Sequence, residues 1–202
     1  MANETGIFGL RPVRHRSGAP WNGALVRCYI SASYATALYV GDPVLLSPTL
    51  AEKDTTGKCP TINQSAGTSG TIIRGVIVAF EPLATDLTKV YNPASTERYA
   101  MVCMDPDVVY AIRGSGGTAL TKVVPGQNAV CISTGGSTTT GLSGFALDEY
   151  TTTAPTTTQA FTLHVLHLQN VENNALGKYA LYEVLLNTCE NATGRFLGIT
   201  AS

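Results

Sequence analysis

The chain has 202 residues and a mass of 21.2 kDa, which suits one domain or one domain with elaborations. Charged residues make up only 13% of it, against about a quarter in typical soluble proteins. The formal net charge of −1 argues against a nucleic-acid-binding protein, because neutralising phosphates needs a clustered excess of lysine and arginine. So weakly charged a surface is typical of proteins that other subunits cover.

The first 23 residues are predicted to form an extended N-terminal arm. Pro and Gly recur at intervals too short for a helix, and no strand-like alternation is visible. The arm gathers cationic side chains and the single tryptophan, which are residue types that concentrate binding energy at interfaces: Arg11, Arg14, His15, Arg16 and Trp21. Two roles stay open, gripping a neighbouring molecule or wrapping the chain's own domain. A locally acidic partner surface would suit the first.

After the arm the pattern becomes that of β-strands. Residues 24–30 and 37–47 are rich in β-branched and aromatic residues, and Gly-Asp-Pro at 41–43 predicts a turn or bulge in the second segment. Residues 52–70 are polar throughout and are predicted to form a long surface loop.

Residues 71–80 carry the strongest strand signal in the chain. The segment is almost continuously apolar, so we expect burial on both faces, with Gly75 at a bulge or a close approach to other backbone. Residues 98–104 and 108–113 follow as two strands around the Asp-Pro-Asp turn at 105–107, in a hairpin or a corner.

The second half of the chain mixes strands with low-complexity sequence. Residues 118–124 could form one short helix, and 128–133 another strand. From 134 to 158 the composition collapses to Thr, Ser and Gly, which predicts a loop or exposed extension outside the core. Segments 161–168 and 178–187 close the domain as two strands, although the second also fits a helix.

Many short strands and little helix predict an all-β fold, either a sandwich or a barrel. We expect a β-sandwich or jelly-roll-like body over residues 24–202, preceded by the arm at 1–23. The Thr/Ser/Gly-rich loop at about 134–158 is its main irregular feature.

The five cysteines are odd in number, widely spaced and contain no CxxC pair: Cys28, Cys59, Cys103, Cys131 and Cys189. Three of them, Cys28, Cys103 and Cys131, lie in apolar runs where a thiol behaves as a small hydrophobe. A disulfide framework and a zinc site are therefore not expected, and we infer assembly in a reducing compartment. No apolar run approaches the roughly 20 residues that cross a bilayer, and no leader is recognised.

No motif for catalysis emerges. Ser69, Ser115, Ser137 and Ser143 each have a glycine nearby, but none has the spacing of a nucleophile elbow. The glycine-rich stretches lack the GK[ST] of a phosphate loop and its βαβ context, so hairpin loops are the better interpretation. An acid–base pair assembled from distant strands stays open.

Two further pairs could in principle bind a cation. His164 and His167 form HxxH, but in a regular strand such a pair points to opposite faces, so no shared metal is expected. Asp105 and Asp107 flank a proline without a calcium-type loop, and a turn cap is the expected role. We predict no metal and no cofactor.

Four segments taken together resemble a known family. FGLRPVRHRSGAPWNG near the N-terminus is followed by a short strand ending in CYI, by ATALYVGDPVLLS, and by GVIVAFEPL after a polar loop. This order resembles the capsid cement, or decoration, proteins of podovirus-like tailed bacteriophages. The resemblance covers roughly the first 80 to 110 residues and fades in the Thr-rich half.

The resemblance implies a non-enzymatic virion protein, assembled in the host bacterial cytoplasm and bound to the outer surface of the capsid. Its partners would be the major capsid protein and further copies of itself, as a homodimer or homotrimer, without direct contact to nucleic acid or membrane. Arg11, Arg14, His15, Arg16 and Trp21 would then contact the capsid. Two alternatives stay open: a receptor- or glycan-binding module on a tail or fibre, and a hydrolase with a dispersed site.

Overall fold

The computed structural model describes residues 3–48, 54, 56–116, 123–149 and 153–190. Within these ranges the chain is all-β and contains no helix, so the predicted fold class is confirmed at that level. The strands in chain order are β1 (Arg11–His15), β2 (Val26–Ile30), β3 (Pro43–Leu46), β4 (Ile62–Gln64), β5 (Gly75–Phe80), β6 (Arg98–Cys103), β7 (Val108–Arg113), β8 (Asn128–Ala129), β9 (Cys131–Ser133), β10 (Phe145–Leu147), β11 (Leu163–Leu168) and β12 (Leu181–Leu186).

The main sheet has five antiparallel strands in the order β1-β7-β12-β11-β8. Its central strand pair is the most buried part of the molecule: every residue of β7 is buried, and so is all of β12 after Leu181. β11 and β12 confirm the two closing strands that the sequence predicted. The central strands read as nearly continuous apolar runs because both of their faces are covered.

The second sheet curls on itself. Its strand order is β2-β6-β5-β3-β4, and a parallel bridge between Tyr29 and Thr61 joins the two ends, with the Tyr29 amide donating to the Pro60 carbonyl at 2.9 Å. The curled sheet encloses its own apolar cluster, which includes Ile30, Val44 and Val102. Joining the ends in this way removes much of the exposed strand edge that an open sheet would present.

A second, larger core lies between the main sheet, the curled sheet and the two-stranded sheet β9–β10. Tyr110 and Val184 come from the main sheet, Val76 from the curled sheet, and Cys131 and Phe145 from the small sheet. The structure therefore corrects the prediction that 134–158 lies outside the core. Phe145–Leu147 is a fully buried strand within it, because the apolar residues of this stretch face surfaces supplied by distant strands.

The chain passes from the curled sheet to the main sheet at 105–107. β6 belongs to the first sheet and β7 to the second, so the predicted hairpin or corner is a corner. The Asp107 amide donates to the Asp105 Oδ1 at 2.8 Å, which confirms the predicted turn cap.

Gly75, at the start of β5, confirms a predicted close approach. A Cβ built at this position would collide with the Cys103 carbonyl on the neighbouring strand. The register irregularity of β5 falls later, between Ile77 and Ala79.

The predicted loop at 52–70 and the predicted helix at 118–124 have different outcomes. The loop predicted at 52–70 contains β4, where Ile62 is fully buried in the curled sheet. The short helix predicted at 118–124 falls mainly on residues 118–122, outside the described part of the chain.

The N-terminal segment departs most clearly from its prediction. Residues Arg11–His15 form β1, paired with β7, so strand structure begins well before residue 24. A tight turn follows, in which the His15 amide donates to the Ala19 carbonyl at 2.8 Å. The backbones of Arg14 and Pro20 form an isolated antiparallel β-bridge across this turn. Pro12 and an irregular register hid this strand, because they break the alternation by which a strand is recognised. The segment wraps its own domain, one of the two roles left open.

Candidate interaction surface

With the help of two β-bulges, side chains that can carry charge come from four strands to lie on one face of the main sheet. The register of β1 shifts between Pro12 and Arg14, and that of β11 between Val165 and His167. Each shift inserts one extra residue, which reverses the face on which the following side chains lie, so that residues three apart in sequence share one face. We call the result the basic face: Arg11, Arg14, Arg113, His164, His167 and Glu183.

The HxxH pair behaves differently from the expectation of opposite faces. His164 lies opposite Leu185 and His167 opposite Glu183, two positions of equal parity on β12, so both imidazoles project from the same face. The bulge at Leu166 is the cause. His164 Nδ1 lies 2.7 Å from Asn128 Oδ1, and His167 Nε2 lies 3.6 Å from Glu183 Oε2. No group of three His, Cys, Asp or Glu residues in the described ranges could hold a metal ion.

Arg14 is held by an intramolecular ion pair. Its Nε and Nη2 atoms donate to Glu183 Oε2 at 3.1 and 2.8 Å, and the Glu183 side chain is only 9% exposed. Without this guanidinium the nearly buried Glu183 carboxylate would be left as an uncompensated charge. Arg14 therefore has a structural role within its own domain.

Arg113 anchors the N-terminal residues to the same face. Its Nη1 donates to the carbonyls of Glu4 and Tyr179 at 2.8 and 3.1 Å, and its Nη2 lies 3.2 Å from Glu4 Oε2. Asn3 adds hydrogen bonds to Ala175 and Lys178. The described part of the N-terminal segment therefore lies along the domain.

Arg11 is the accessible cation of the basic face. It is exposed, and its guanidinium sits 4.4 Å from the centre of the Phe8 ring. Among the residues that the structure describes, no carboxylate forms an ion pair with it. Arg11 can thus form an ion pair with a carboxylate of another molecule without breaking an ion pair within its own chain.

His15 is the last residue of β1, and Arg16 begins the turn that follows it. His15 Nδ1 lies 3.3 Å from Asp105 Oδ2, and the Arg16 amide donates to the Asp107 carbonyl at 2.7 Å. These residues and Ser17 line a cleft of about 540 Å³.

Burial lowers the pKa of His164, and the nearby Arg16 charge lowers it further.

Trp21 packs against the larger hydrophobic core, the one that lies between the main sheet, the curled sheet and β9–β10. The side chain is partly buried, and its Nε1 atom is buried without a hydrogen-bond acceptor among the described residues. It helps to line a pocket of about 300 Å³, which we call the Trp21 pocket, together with Phe8, Leu10, Arg11, Val78 and Leu142. Of the five residues that the sequence resemblance implied would contact a capsid, Arg11 and Trp21 both line this pocket.

Sequence reasoning did not single out the buried carboxylates, of which Glu149 and Asp42 are two. Glu149 accepts hydrogen bonds from the Gly116 amide at 2.9 Å and the Tyr182 hydroxyl at 3.1 Å, and burial raises its pKa. Asp42 accepts from the Tyr39 amide and from Gln64, and burial raises its pKa too. Asp42 stood in a recognised turn, but nothing in the Thr-rich sequence around Glu149 marked it.

The cysteines are free thiols. Cys28, Cys103, Cys131 and Cys189 are buried and Cys59 is partly exposed. The first three lie within the two core clusters, which confirms that they act as small hydrophobes. Burial raises the pKa of the Cys28 and Cys131 thiols to about 12.

In the described residues, no helix has the length and apolar character needed to cross a membrane.

Comparisons of the chain with family models, with curated proteins and with solved structures found no match.

Proposed function

We propose that this chain is a non-enzymatic virion protein that binds the outside of a bacteriophage capsid across the seams between major capsid protein subunits. It stabilises the shell against the pressure of packaged DNA. It acts on the capsid surface after assembly in the bacterial cytoplasm, and it self-associates as a homodimer or homotrimer. A rigid sandwich- or jelly-roll-like body suits this task, and no chemical step is needed.

The basic face is the observation that carries the proposal. On this face Arg14 and Arg113 are paired with Glu183 and Glu4, which leaves Arg11 as the exposed arginine that has no ion-pair partner among the described residues. Arginine is among the side chains that dominate binding energy at protein interfaces. The sequence resemblance of the first 80 to 110 residues to capsid cement proteins supports the same assignment.

The physical logic of a seam clamp matches such a surface. A protein that binds only the assembled shell stabilises that state by mass action. Self-association brings two or three copies of the face to bear at once, which multiplies individually weak contacts. A contact of about 800 Å² per partner is enough for specific binding.

The experiment is reconstitution on shells that lack the protein. Wild-type protein should bind at a copy number comparable to that of the major capsid protein and should raise the temperature at which the shell opens. Arg11→Ala should lower occupancy while the isolated protein keeps its stability. Lys58→Ala, which removes an exposed cation in the loop before β4, is the matched control and should bind normally.

A tail- or fibre-associated glycan-binding module is the second candidate. Tyr39 and Tyr91 are stacked at 5.2 Å between ring centres with 12° between their planes, and both are partly exposed. Aromatic faces of this kind are suitable platforms for sugar rings. A stoichiometry of only a few molecules per particle, with loss of glycan binding in Tyr91→Ala, would favour this candidate over the capsid clamp.

A further inference from the structure

We propose that the Trp21 pocket receives an apolar side chain of the protein partner, while a carboxylate next to that side chain in the partner pairs with Arg11. This inference rests on the proposed function, in which the partner is a capsid subunit. In this arrangement the indole of Trp21 forms a wall of a pocket on this chain.

The walls of the pocket define the first half of the ligand. Phe8, Leu10, Val78 and Leu142 are apolar, and Trp21 contributes its indole face. A volume of about 300 Å³ lies at the lower end of the range of roughly 300–1,000 Å³ typical of ligand pockets. Such a space suits one large side chain, such as Leu or Phe, of an inserted polypeptide segment.

The positive charge of Arg11 at the pocket defines the second part of the ligand, its acidic group. Arg11 is the charged member of the lining, and it is exposed. The ring of Phe8 holds its guanidinium in place at 4.4 Å, so less side-chain freedom is lost when an anion binds. Since no described carboxylate is paired with it, charge complementarity calls for an acidic group on the partner.

The indole nitrogen adds an independent observation. Trp21 Nε1 is buried and has no acceptor among the described residues, although buried donors are nearly always satisfied. Because the atom is buried, an oxygen of a segment seated in the pocket can accept from it only if the indole shifts on binding. Arg and Trp at one small pocket also match the composition of interface hot spots.

Trp21 is the only tryptophan of the chain, so it reports on the pocket directly. In a ¹H–¹⁵N spectrum of the ¹⁵N-labelled protein, the single indole cross-peak can be followed during titration with 3-phenylpropionate. The matched probe is 3-phenylpropionamide, which keeps the ring and removes the charge. We expect a dissociation constant on the order of millimolar for the carboxylate. The amide should bind roughly two- to five-fold more weakly, as expected for an exposed ion pair.

Arg11→Gln should abolish the difference between the two probes while ring binding persists, and Arg11→Lys should restore part of it. Leu142→Phe, which fills the pocket, should weaken both probes and lower the occupancy of shells. Retained dispersion of the amide spectrum shows that each variant is folded. Lys58→Ala should behave as wild type throughout.

An indole resonance that responds to neither probe, or equal affinities of the two probes for the wild type, would overturn the pocket assignment. So would full shell occupancy by a folded Leu142→Phe variant. These failures are distinct from failure of the proposed function. A low copy number on particles would remove the capsid as partner, while selective binding of the carboxylate probe would still support the pocket.

Discussion

Arg14 and Glu183 lie 169 residues apart in the sequence, on strands that are not hydrogen-bonded to each other, and their 2.8 Å ion pair crosses the strand that separates them. The pair ties β1, the edge strand, to β12 near the middle of the main sheet. It therefore separates the arginines of the N-terminal segment by role: Arg14 stabilises the fold, whereas Arg11 remains accessible.

The first prediction concerns this separation. Arg14→Ala leaves the nearly buried Glu183 carboxylate without its main partner and should destabilise the protein by about 1–3 kcal/mol. Arg11→Ala should change stability by no more than about 0.5 kcal/mol, because Arg11 is exposed and forms no described ion pair. Urea denaturation monitored by circular dichroism measures both. Equal effects of the two variants would show that the ion pair does not hold β1.

The second prediction concerns packing at the start of β5. Gly75→Ala should destabilise the protein by about 1–3 kcal/mol, because the new methyl group would collide with the Cys103 carbonyl on the neighbouring strand. Gly6→Ala is the control, since a Cβ there meets no atom within 4 Å. Thermal denaturation compares the two. A neutral Gly75→Ala would mean that the strands separate easily at this point.

The third prediction is a pH dependence at Glu149. Burial raises the folded-state pKa of this carboxyl, so its protonated form is favoured in the folded protein. Its contribution to stability is complete below the unfolded value of about 4.3 and is lost as pH rises through the raised pKa. Glu149→Gln does not ionise, and its one carbonyl oxygen can still accept from the Gly116 amide while its NH2 group donates to the Tyr182 hydroxyl oxygen.

The stability of the wild type relative to Glu149→Gln should therefore fall as the pH is raised from 4 to 7, as measured by urea denaturation at each pH. A constant difference across this interval would contradict burial of the carboxyl.

The fourth prediction concerns His164. Burial and the Arg16 charge lower its folded-state pKa, so the neutral ring is favoured and stability falls as pH drops below the unfolded value of about 6.5. Arg16→Ala should raise the pKa of His164 and weaken this dependence. NMR titration of the imidazole resonances measures it. Arg11→Ala should leave the titration unchanged, and a similar shift in both variants would argue against a specific effect of Arg16.

The fifth prediction concerns the thiols. Cys59 is partly exposed while the other four cysteines are buried, so one thiol should react quickly with a disulfide reagent in the native protein and five in denaturant. Cys59→Ser should remove the fast reaction. Fast labelling of more than one site would show that a buried cysteine becomes accessible through local opening.

Local patterns were enough to predict the strands of the closing pair and the turn at 105–107, because apolar runs and Pro-containing turns act within a few residues. They failed at β1, where Pro12 and a bulge disturb the alternation, and at β10, where a short apolar run stands among threonines. The HxxH pair failed for a related reason. A single extra residue at the bulge reverses the face of every side chain beyond it.

The amino-acid sequence by itself determined that this is an all-β chain with few charges, a cationic N-terminal segment and thiols placed as apolar residues. These properties follow from composition and from short-range periodicity. The tertiary structure alone decided that Glu183 neutralises Arg14, that Arg11 stays accessible, and that Trp21 lines a pocket. Each of these depends on strands far apart in the sequence, whose distances are set only when the sheets pack and bulges define their register.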